Sequence, residues 1–290
     1  MVSYDHWYTA LGRESGVYHR LLEQVFGPAQ YVGQQGFATR DQILELARAV
    51  GAASGTRILD VCSGTAGPAA CIADATGCRM VSLDCSLPAL RLAKNTIGSH
   101  ARLVAADAHH LPFRDQRFDA ALVLDSFASL PEPGVVVAEL ARVVRPGGRL
   151  GFTAEVGRPL GAAEEIGFAR TTAPRIQTLP DWLALLQGAG FVPLSVRDCT
   201  PGAAMRADRL ARSLAREQTM LARDLGQPAV SDLALTLATW AGLLGDGRVA
   251  EIAAVAQRLP ALHEPCFDAT HARIQPPSML TSKMERLSVR

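Results

Sequence analysis

The feature that most constrains the fold is a regular alternation of short apolar runs with helical segments, which begins at residue 57. Each run has strand length, roughly four to eight residues, and is followed by apolar residues at helical spacing. The alternation predicts an α/β fold, doubly wound, with a mostly parallel sheet and helices on both faces. Seven strands are predicted, at 58–61, 79–83, 102–106, 118–124, 149–153, 191–196 and 249–255.

Helix ends are marked by residues with known capping roles. Thr39 followed by Gln42, and Thr178 followed by Asp181, are capping boxes that predict helix starts. The second of these helices is expected to end near Gly188 and to lead into a strand. Further helices are predicted at 68–75, 87–97 and 135–144, with a turn at 145–148.

Outside the alternating region the sequence suggests a cap, an insertion and a tail. Aromatic residues near the N-terminus indicate a helical cap or lid, and a late stretch at helical spacing, interrupted at 226–228, indicates a pair of helices inserted before the last strand. The predicted organisation is 1–38 cap, 39–200 Rossmann-like cofactor-binding core, 201–247 helical lid insertion, 248–259 last strand and 260–290 irregular tail.

Composition excludes several classes of function. A chain of 290 residues, 48% hydrophobic and 20% charged, suits one globular α/β domain with a helical subdomain. No apolar segment approaches the roughly 18 residues of a membrane span, and a net charge of +1 disfavours nucleic-acid partners. Six cysteines without metal-ligand spacing predict reduced thiols, no metal site and a cytoplasmic location.

A loop of small residues follows the first predicted strand. It contains Cys62 and Gly64 and enters a helix with Pro68 in the first turn, so a ligand can approach the backbone closely. Asp84 ends the second strand twenty residues beyond Gly64. At this spacing an acidic side chain accepts hydrogen bonds from a ribose. The loop therefore predicts a ribosyl ligand.

Two further carboxylates narrow the choice of ligand. Asp107, followed by Ala108, ends the third strand, where a carboxylate can accept a hydrogen bond from the amine of adenine. Asp60 precedes the loop, where its charge would repel a pyrophosphate but suit an ammonium group. The loop also lacks a complete GxGxxG pattern. An adenosine ligand with a cationic group is therefore favoured over a dinucleotide.

In order and spacing, these motifs resemble those of class I S-adenosylmethionine-dependent methyltransferases, especially bacterial enzymes acting on small molecules and natural products. The resemblance spans about residues 30–200. It implies a class I methyltransferase fold, S-adenosyl-L-methionine as donor, S-adenosyl-L-homocysteine as product, and methyl transfer to an N, O or C atom of a small molecule. The residues that carry it are Leu59-Asp60 with Gly64, Asp84, Asp107-Ala108 with Leu111-Pro112-Phe113, Phe118-Asp119 and 140–148.

The resemblance also assigns site residues and shows departures. The cofactor-binding residues it implies are Asp60, Cys62, Gly64, Asp84, Cys85, Asp107, Ala108 and Asp125. The family usually has glycine where this chain has Cys62 and Ala66, with Gly67 as a substitute, and the added Cβ atoms are expected to narrow the methionine site.

Substrate-side candidates cluster at the carboxyl ends of the later strands. Asp125 follows the fourth strand, Glu155 is expected just beyond the fifth and Asp198 ends the sixth. The catalytic candidates are Asp125, Ser129 and Glu155. The substrate-binding candidates are Tyr4, Trp7, Tyr8, Tyr18, Phe127 and Asp198.

Structural roles and other functions stay open for these residues. Asp60 and Asp84 can cap helices, the N-terminal aromatics can pack on the core, and His109 and His110 are expected in solvent. An S-adenosylmethionine-binding protein without methyl transfer, such as a cyclase or regulatory relative, is a second reading. A nicotinamide-dependent oxidoreductase is a third. Substrate identity, a general base and the oligomeric state are undecided, a homodimer being one option.

Overall fold

The computed structural model describes residues 5–11, 16–95, 101–168 and 174–260, which form seven strands and eleven α-helices. The strands are β1 (Arg57–Val61), β2 (Arg79–Asp84), β3 (Ala101–Ala105), β4 (Phe118–Val123), β5 (Val144–Gly157), β6 (Phe191–Asp198) and β7 (Val249–Arg258). The helices are α1 (Asp5–Leu11), α2 (Gly16–Phe26), α3 (Arg40–Ala49), α4 (Gly67–Thr76), α5 (Leu87–Ala93), α6 (Pro133–Val143), α7 (Ala162–Glu165), α8 (Leu179–Gly188), α9 (Thr200–Arg216), α10 (Gln218–Leu225) and α11 (Gln227–Gly245).

The strands form one sheet in the order β3-β2-β1-β4-β5-β7-β6. Neighbouring strands from β3 to β5 are parallel, and β7 runs antiparallel between β5 and β6. The predicted mostly parallel, seven-stranded, doubly wound sheet is confirmed. Strand order reverses between β1 and β4, and ligands of open α/β sheets bind beyond the carboxyl ends of the strands at such a point.

Local signals account for where helices begin. The Thr39 hydroxyl accepts from the Gln42 N–H at 3.3 Å, and Gln42 Oε1 accepts from the Thr39 N–H at 2.9 Å, which starts α3. Thr178 and Asp181 repeat this box at the start of α8. Both predicted helix starts are confirmed, because each box satisfies N–H groups that a helix terminus leaves open.

Strand β5 is longer than predicted. Residues 145–148, expected as a turn, belong to β5 and form an irregularity in its pairing with β4, where the register passes from Phe118↔Val144 to Ala120↔Arg149. Gly147, with φ of +75°, permits this bend. The extension at the other end carries the strand to Gly157.

The late insertion consists of three helices rather than the predicted pair. Beyond the expected interruption at 226–228, the chain also breaks at Glu217, whose φ of −98° and ψ of 11° lie outside the helical region. Helices α9, α10 and α11 pack with α2 in one apolar cluster that includes Leu22, Leu210, Leu221 and Leu237. The predicted N-terminal cap and insertion therefore form a common helical layer.

Two apolar layers cover the faces of the sheet. Residues of α6 and α8 pack on one face, and residues of α3 and α4 pack on the other. None of the described helices is both long and apolar enough to cross a bilayer. The tail predicted at 260–290 lies, from residue 261 on, outside the described residues, as does Tyr4.

Candidate active site

The loop between β1 and α4 has an unusual backbone. Cys62, Gly64 and Ala66 adopt φ values of +59°, +54° and +57°, in the left-handed region. That region costs a non-glycine residue about 1–2 kcal/mol. Cys62 and Ala66 therefore hold a loop shape that favours glycine, at a conformational cost.

Asp84 fixes this loop from the end of β2. Its side chain is buried, and Oδ2 accepts from the Gly64 N–H at 2.8 Å while Oδ1 accepts from the Ser86 N–H at 2.8 Å. Burial raises the pKa of Asp84, and these two N–H groups offset part of that effect. Each carboxylate oxygen can accept a second hydrogen bond. The capping role and a role toward a ribose are thus compatible.

Asp60 lies behind the loop without a partner for one of its oxygens. Its side chain is 3% exposed, and Oδ2 has no hydrogen-bond partner among the described residues. The same holds for the hydroxyls of Ser63 and of Ser82, the register partner of Asp60 on β2. Burial and then the charge of Asp84 raise the pKa of Asp60 to about 8. Helix α4 has no side-chain cap, so the capping alternative for Asp60 is not realised.

Asp107, just beyond β3, is held by a histidine that sequence reasoning placed in solvent. Its Oδ1 accepts from the His109 N–H at 2.9 Å and lies 2.6 Å from Nδ1 of the same residue. His109 Nε2 lies 2.5 Å from the carbonyl oxygen of Pro131. Both ring nitrogens face acceptors, an arrangement that favours the doubly protonated ring. The cost of desolvating the ring opposes this, but the Pro131 carbonyl and Asp107 raise the pKa of His109 overall.

The other predicted cofactor-binding residues differ in charge and burial. Burial alone would raise the pKa of Asp107, yet hydrogen bonds from His109 and its charge lower it, which keeps the carboxylate ionised. Ala108 is buried against the core. Cys85 is exposed, Cys62 is half-buried, and burial raises the pKa of both thiols.

Helix α1 lies against the glycine loop. A Cβ atom at Gly64 would be 2.6 Å from Tyr8 Oη, so the tyrosine hydroxyl abuts the loop backbone. Ser86 Oγ donates to Asp5 Oδ1 at 2.6 Å, which ties α1 to the start of α5. Of the aromatic residues predicted to line the pocket, Tyr8 thus contacts the loop itself.

The other N-terminal aromatics have different positions. Trp7 Nε1 donates to Gln35 Oε1 at 3.3 Å, and its ring lies edge-on to Tyr18, with centroids 5.4 Å apart. Tyr18 is buried in the helical layer, and burial raises its pKa. The packing alternative holds for Tyr18, while Trp7 is half-exposed.

A second group of carboxylates lies just after β4 and within β5 and β7. Asp125 follows β4 with a φ of +49°, and its N–H donates to Thr153 Oγ1 at 2.7 Å. The Thr153 hydroxyl donates back to Asp125 Oδ1. A Cβ atom at Gly36 would be 1.8 Å from Asp125 Oδ2, so the chain entering α3 passes directly over this carboxylate.

Glu155 and Glu251 face each other across the β5–β7 pair. Both are buried, and Glu155 Oε2 and both carboxylate oxygens of Glu251 lack a hydrogen-bond partner among the described residues. Burial and then the charge of Asp125 raise the pKa of Glu155 to about 7. The same two causes raise the pKa of Glu251 well above its usual value. Glu155 was expected beyond the fifth strand; this was wrong, since β5 runs to Gly157.

Arg206 of α9 is the buried cation next to this group. Its Nε donates to the Phe37 carbonyl oxygen at 2.7 Å and its Nη2 to Gln42 Oε1 at 3.2 Å. Burial lowers its pKa. Arg206, Thr153 and Glu251 help line a small cavity of about 10 Å³, which has room for about one water-sized group. We call Asp125, Glu155 and Glu251 the acid cluster.

Comparison with known proteins identifies the region that carries the loop. Residues 59–152 match the profile of the family described as a methyltransferase domain. This part of the chain is similar to methyltransferase domains.

Relatives and solved structures agree with this domain. Methyltransferase GfsG of Streptomyces halstedii is 32% identical over 157 residues, which cover 50% of this chain and 56% of GfsG. The chain thus spans about half the length of this relative. The cyclase SpnF has a TM-score of 0.68 at 25% identity, covering 83% of this chain and 93% of SpnF. Phosphoethanolamine N-methyltransferase 2 of Haemonchus contortus, solved with S-adenosylhomocysteine, has a TM-score of 0.70 at 18% identity, covering 90% and 61%.

Some substrate-side candidates have structural roles. Phe127 is buried and contacts Phe152 edge-on and Trp182 at a tilt, at centroid distances of 5.3 and 4.7 Å, so it packs the core rather than lining a pocket. Asp198 is exposed, and its Oδ1 accepts from the Thr200 N–H at 2.8 Å at the start of α9. Ser129 is half-buried in a short 3₁₀ turn after β4.

Sequence reasoning missed Glu251, Thr153, Arg206 and His109. An isolated carboxylate inside an otherwise apolar strand is a signal that marks Glu251, and the same reading applies to Glu155. Nothing in the local sequence distinguishes Arg206 from its neighbours on α9. Gly67, considered as a substitute for a loop glycine, instead permits close packing, since a Cβ there would be 1.9 Å from the Val32 carbonyl oxygen.

Proposed function

We propose that the protein is an S-adenosylmethionine-dependent methyltransferase that acts on an N, O or C atom of a small molecule. The observation that carries the proposal is the buried, unpartnered Asp60 carboxylate beside the Asp84–Gly64 hydrogen bond, at the carboxyl end of β1. A cationic ligand group donates hydrogen bonds to that oxygen and favours the ionised carboxylate, whereas a pyrophosphate offers it neither a donor nor a positive charge. The nicotinamide-dependent reading is therefore disfavoured.

The residues present fit the donor in three places. Asp84 would accept from the ribose hydroxyls, Asp107 from the adenine amine, and Asp60 from the methionine ammonium. The Gly64 loop lets the donor approach the backbone, and Cys62, Cys85 and Ala108 complete its surroundings. The sulfonium of the donor activates its methyl group, so that the protein mainly positions the acceptor and excludes water.

The acceptor side is proposed to lie over β4 and β5. Asp125 is the residue we place between donor and acceptor, with Ser129 nearby on the same loop. Glu155 is suited to hold or accept a proton, because burial brings its pKa to about 7. Asp125, Ser129 and Glu155 are our catalytic candidates.

The predicted organisation adds a lid to this site. We propose that the cap at 1–38 and the insertion at 201–247 close over the acceptor, as lids do in enzymes that exclude water. The contact of Tyr8 with the Gly64 loop supports this role for the cap. A cytoplasmic location, a small-molecule partner, and the absence of nucleic-acid and membrane partners remain predictions; the oligomeric state stays open.

The proposal is tested by following a labelled methyl group. The protein is incubated with methyl-labelled S-adenosylmethionine and acceptors bearing amine, phenol, alcohol and carbon-acid groups. Label in an acceptor together with an equal amount of S-adenosylhomocysteine is the expected result, and Asp84→Ala should abolish both. Conversion of an acceptor while the donor stays intact contradicts methyl transfer.

A second candidate is a protein that binds the donor without transferring its methyl group. The observation that favours it is the match to SpnF, a cyclase, over 93% of SpnF. On this reading the acceptor is rearranged at the same cavity and S-adenosylhomocysteine does not form. Mass analysis of the acceptor distinguishes the two, since a methyl group adds about 14 Da and a cyclisation adds nothing.

A further inference from the structure

The acid cluster works against the stability of the fold. Glu155 and Glu251 are direct cross-strand partners, and like charges in that arrangement are destabilising. Both side chains are buried, where an ionised carboxylate without partners is costly. Apolar residues at these positions would suit the surrounding strands better. The fold alone therefore gives no reason for this pair.

The charge of the cluster is not balanced by its neighbour. Among the described residues, the hydrogen bonds of Arg206 go to the Phe37 carbonyl oxygen and to Gln42, not to a carboxylate of the cluster. Arg206 thus interacts with Glu251 and Asp125 through charge only, since their charges raise its pKa while burial lowers it overall. Burial first, and then the charge of Asp125, raise the pKa of both Glu155 and Glu251.

One carboxylate is directed at the cavity. Glu251 is 2% exposed and lines it together with Thr153. The charge of Asp125 and a close contact between the two carboxyl groups raise the pKa of Glu251. By geometry, neither Glu251 oxygen accepts a hydrogen bond from the described residues. The described residues contain no group of three or more His, Cys, Asp or Glu arranged to hold a metal ion. The geometry suits hydrogen-bond donors on a ligand.

The position of the cluster links it to the acceptor. Asp125 follows β4, and β4 is the direct neighbour of β1, whose end carries the Gly64 loop. Asp125 therefore lies one strand from the proposed donor site, and Glu155 on β5 and Glu251 on β7 lie two and three strands from it.

We propose that Asp125, Glu155 and Glu251 bind a protonated amine of the methyl acceptor, so that the substrate class is a cationic, amine-bearing small molecule. This inference rests on the proposed function. An ammonium group supplies three donors and a positive charge to a site with unused acceptors and excess negative charge.

The test uses a pair of probes matched in shape. Wild-type protein saturated with S-adenosylhomocysteine is titrated at pH 7 with n-butylammonium chloride or n-butanol at equal ionic strength. Saturable binding of n-butylammonium, and at least tenfold weaker binding of n-butanol, is expected. Because the cluster holds protons, amine binding should release protons, which calorimetry in two buffers of different ionisation enthalpy measures.

Variants assign the binding to the cluster. Glu251→Gln should weaken n-butylammonium binding at least tenfold, and Glu155→Gln serves if the first variant does not fold. Glu165→Gln, at an exposed position on α7, is the matched control and should bind as wild type does. Equal binding of the two probes, or unchanged amine binding in a folded Gln variant, overturns the proposal. If S-adenosylhomocysteine itself does not bind, the proposed function fails; if it binds and the amine does not, only the present inference fails.

Discussion

The two groups of carboxylates at the carboxyl edge of the sheet differ in how the chain surrounds them. Beyond β1 to β3, Asp84 and Asp107 each accept backbone N–H groups within two residues or from the adjacent loop. Within β5 and β7, Glu155 and Glu251 are buried, and one Glu155 oxygen and both Glu251 oxygens have no hydrogen-bond partner among the described residues. Backbone N–H groups hold the carboxylates of the first group in place, whereas the buried oxygens of the second group need protons or a ligand to satisfy them.

The comparison separates binding geometry from proton storage. Hydrogen bonds from His109 keep Asp107 ionised, which suits a fixed acceptor for an adenine amine. Burial raises the pKa of Glu155 to about 7, and a pKa near the working pH suits a group that gains or loses a proton during turnover. Asp60 shares features of both groups. It belongs to the donor loop with Asp84, and like Glu155 and Glu251 it has a buried oxygen without a hydrogen-bond partner.

The largest expected effect is on pH-dependent stability. The pKa of Glu155 rises from its ordinary value of 4.5 to about 7 on folding, so folded protein holds this proton more tightly. Its stabilising contribution is complete below pH 4.5 and is lost as pH rises through 7. The loss in free energy of unfolding is about 3 kcal/mol. Urea denaturation at pH 4.5 and 8 should show a shallower decline for Glu155→Gln than for wild type.

The control for this prediction is Glu165→Gln, whose carboxylate is exposed. It should follow the wild-type decline, to which Asp60, with its raised pKa, also contributes. A Glu155→Gln variant whose stability falls with pH as steeply as wild type would show that Glu155 ionises normally.

Asp84→Ala should weaken S-adenosylhomocysteine binding about 100-fold, equivalent to about 2.7 kcal/mol. The substitution removes the proposed ribose acceptor and also frees the N–H groups of Gly64 and Ser86. Calorimetric titration measures the change. Asp74→Ala, at an exposed carboxylate on α4, should bind as wild type does. Equal affinities for the two variants would place the ribose elsewhere.

Gly67→Ala tests the packing that supports the donor loop. Its new Cβ would lie 1.9 Å from the Val32 carbonyl oxygen, a backbone atom that moves only with its segment. We expect a loss of about 2 kcal/mol in the free energy of unfolding, measured in urea. Gly188→Ala, in α8 with open space around it, should leave stability unchanged or slightly raised. Similar losses in both would show that the Val32 segment is not held against α4.

The smallest expected effect concerns the left-handed loop. Ala66→Gly removes the cost of a φ of +57° but adds freedom to the unfolded chain, so we expect a net gain of about 0.5 kcal/mol. Ala69→Gly, in the interior of α4, should lose about 1 kcal/mol. Chemical denaturation of both variants compares the two. A loss at Ala66 as large as that at Ala69 would mean that the loop carries no such cost.

The same contrast explains what the sequence could predict. The donor half was predictable because its signals are local, such as the Gly64-to-Asp84 spacing and the capping box at Thr39. The acid half was only partly predictable. Glu155 meets Glu251 through the register of an antiparallel strand pair separated by the whole helical insertion, and no local pattern fixes that register.

Side-chain direction was the other gap. Phe127 was expected to line the pocket, but the short turn after β4 points it into the core with Trp182. His109 was expected in solvent, but it bridges Asp107 and Pro131, which are brought together by strands β3 and β4. In each case the partner comes from a different part of the chain. The sequence thus predicted which edge of the sheet carries the site, but not every residue whose side chain lies there.

The most direct measurement of the central claim is a calorimetric titration of wild-type protein with S-adenosylhomocysteine and, separately, with NAD. The account predicts saturable binding of one S-adenosylhomocysteine per chain and no binding of NAD, because the buried Asp60 oxygen can accept from an ammonium, whereas a pyrophosphate offers it no donor. Binding of NAD without binding of S-adenosylhomocysteine, or binding of neither, would contradict it.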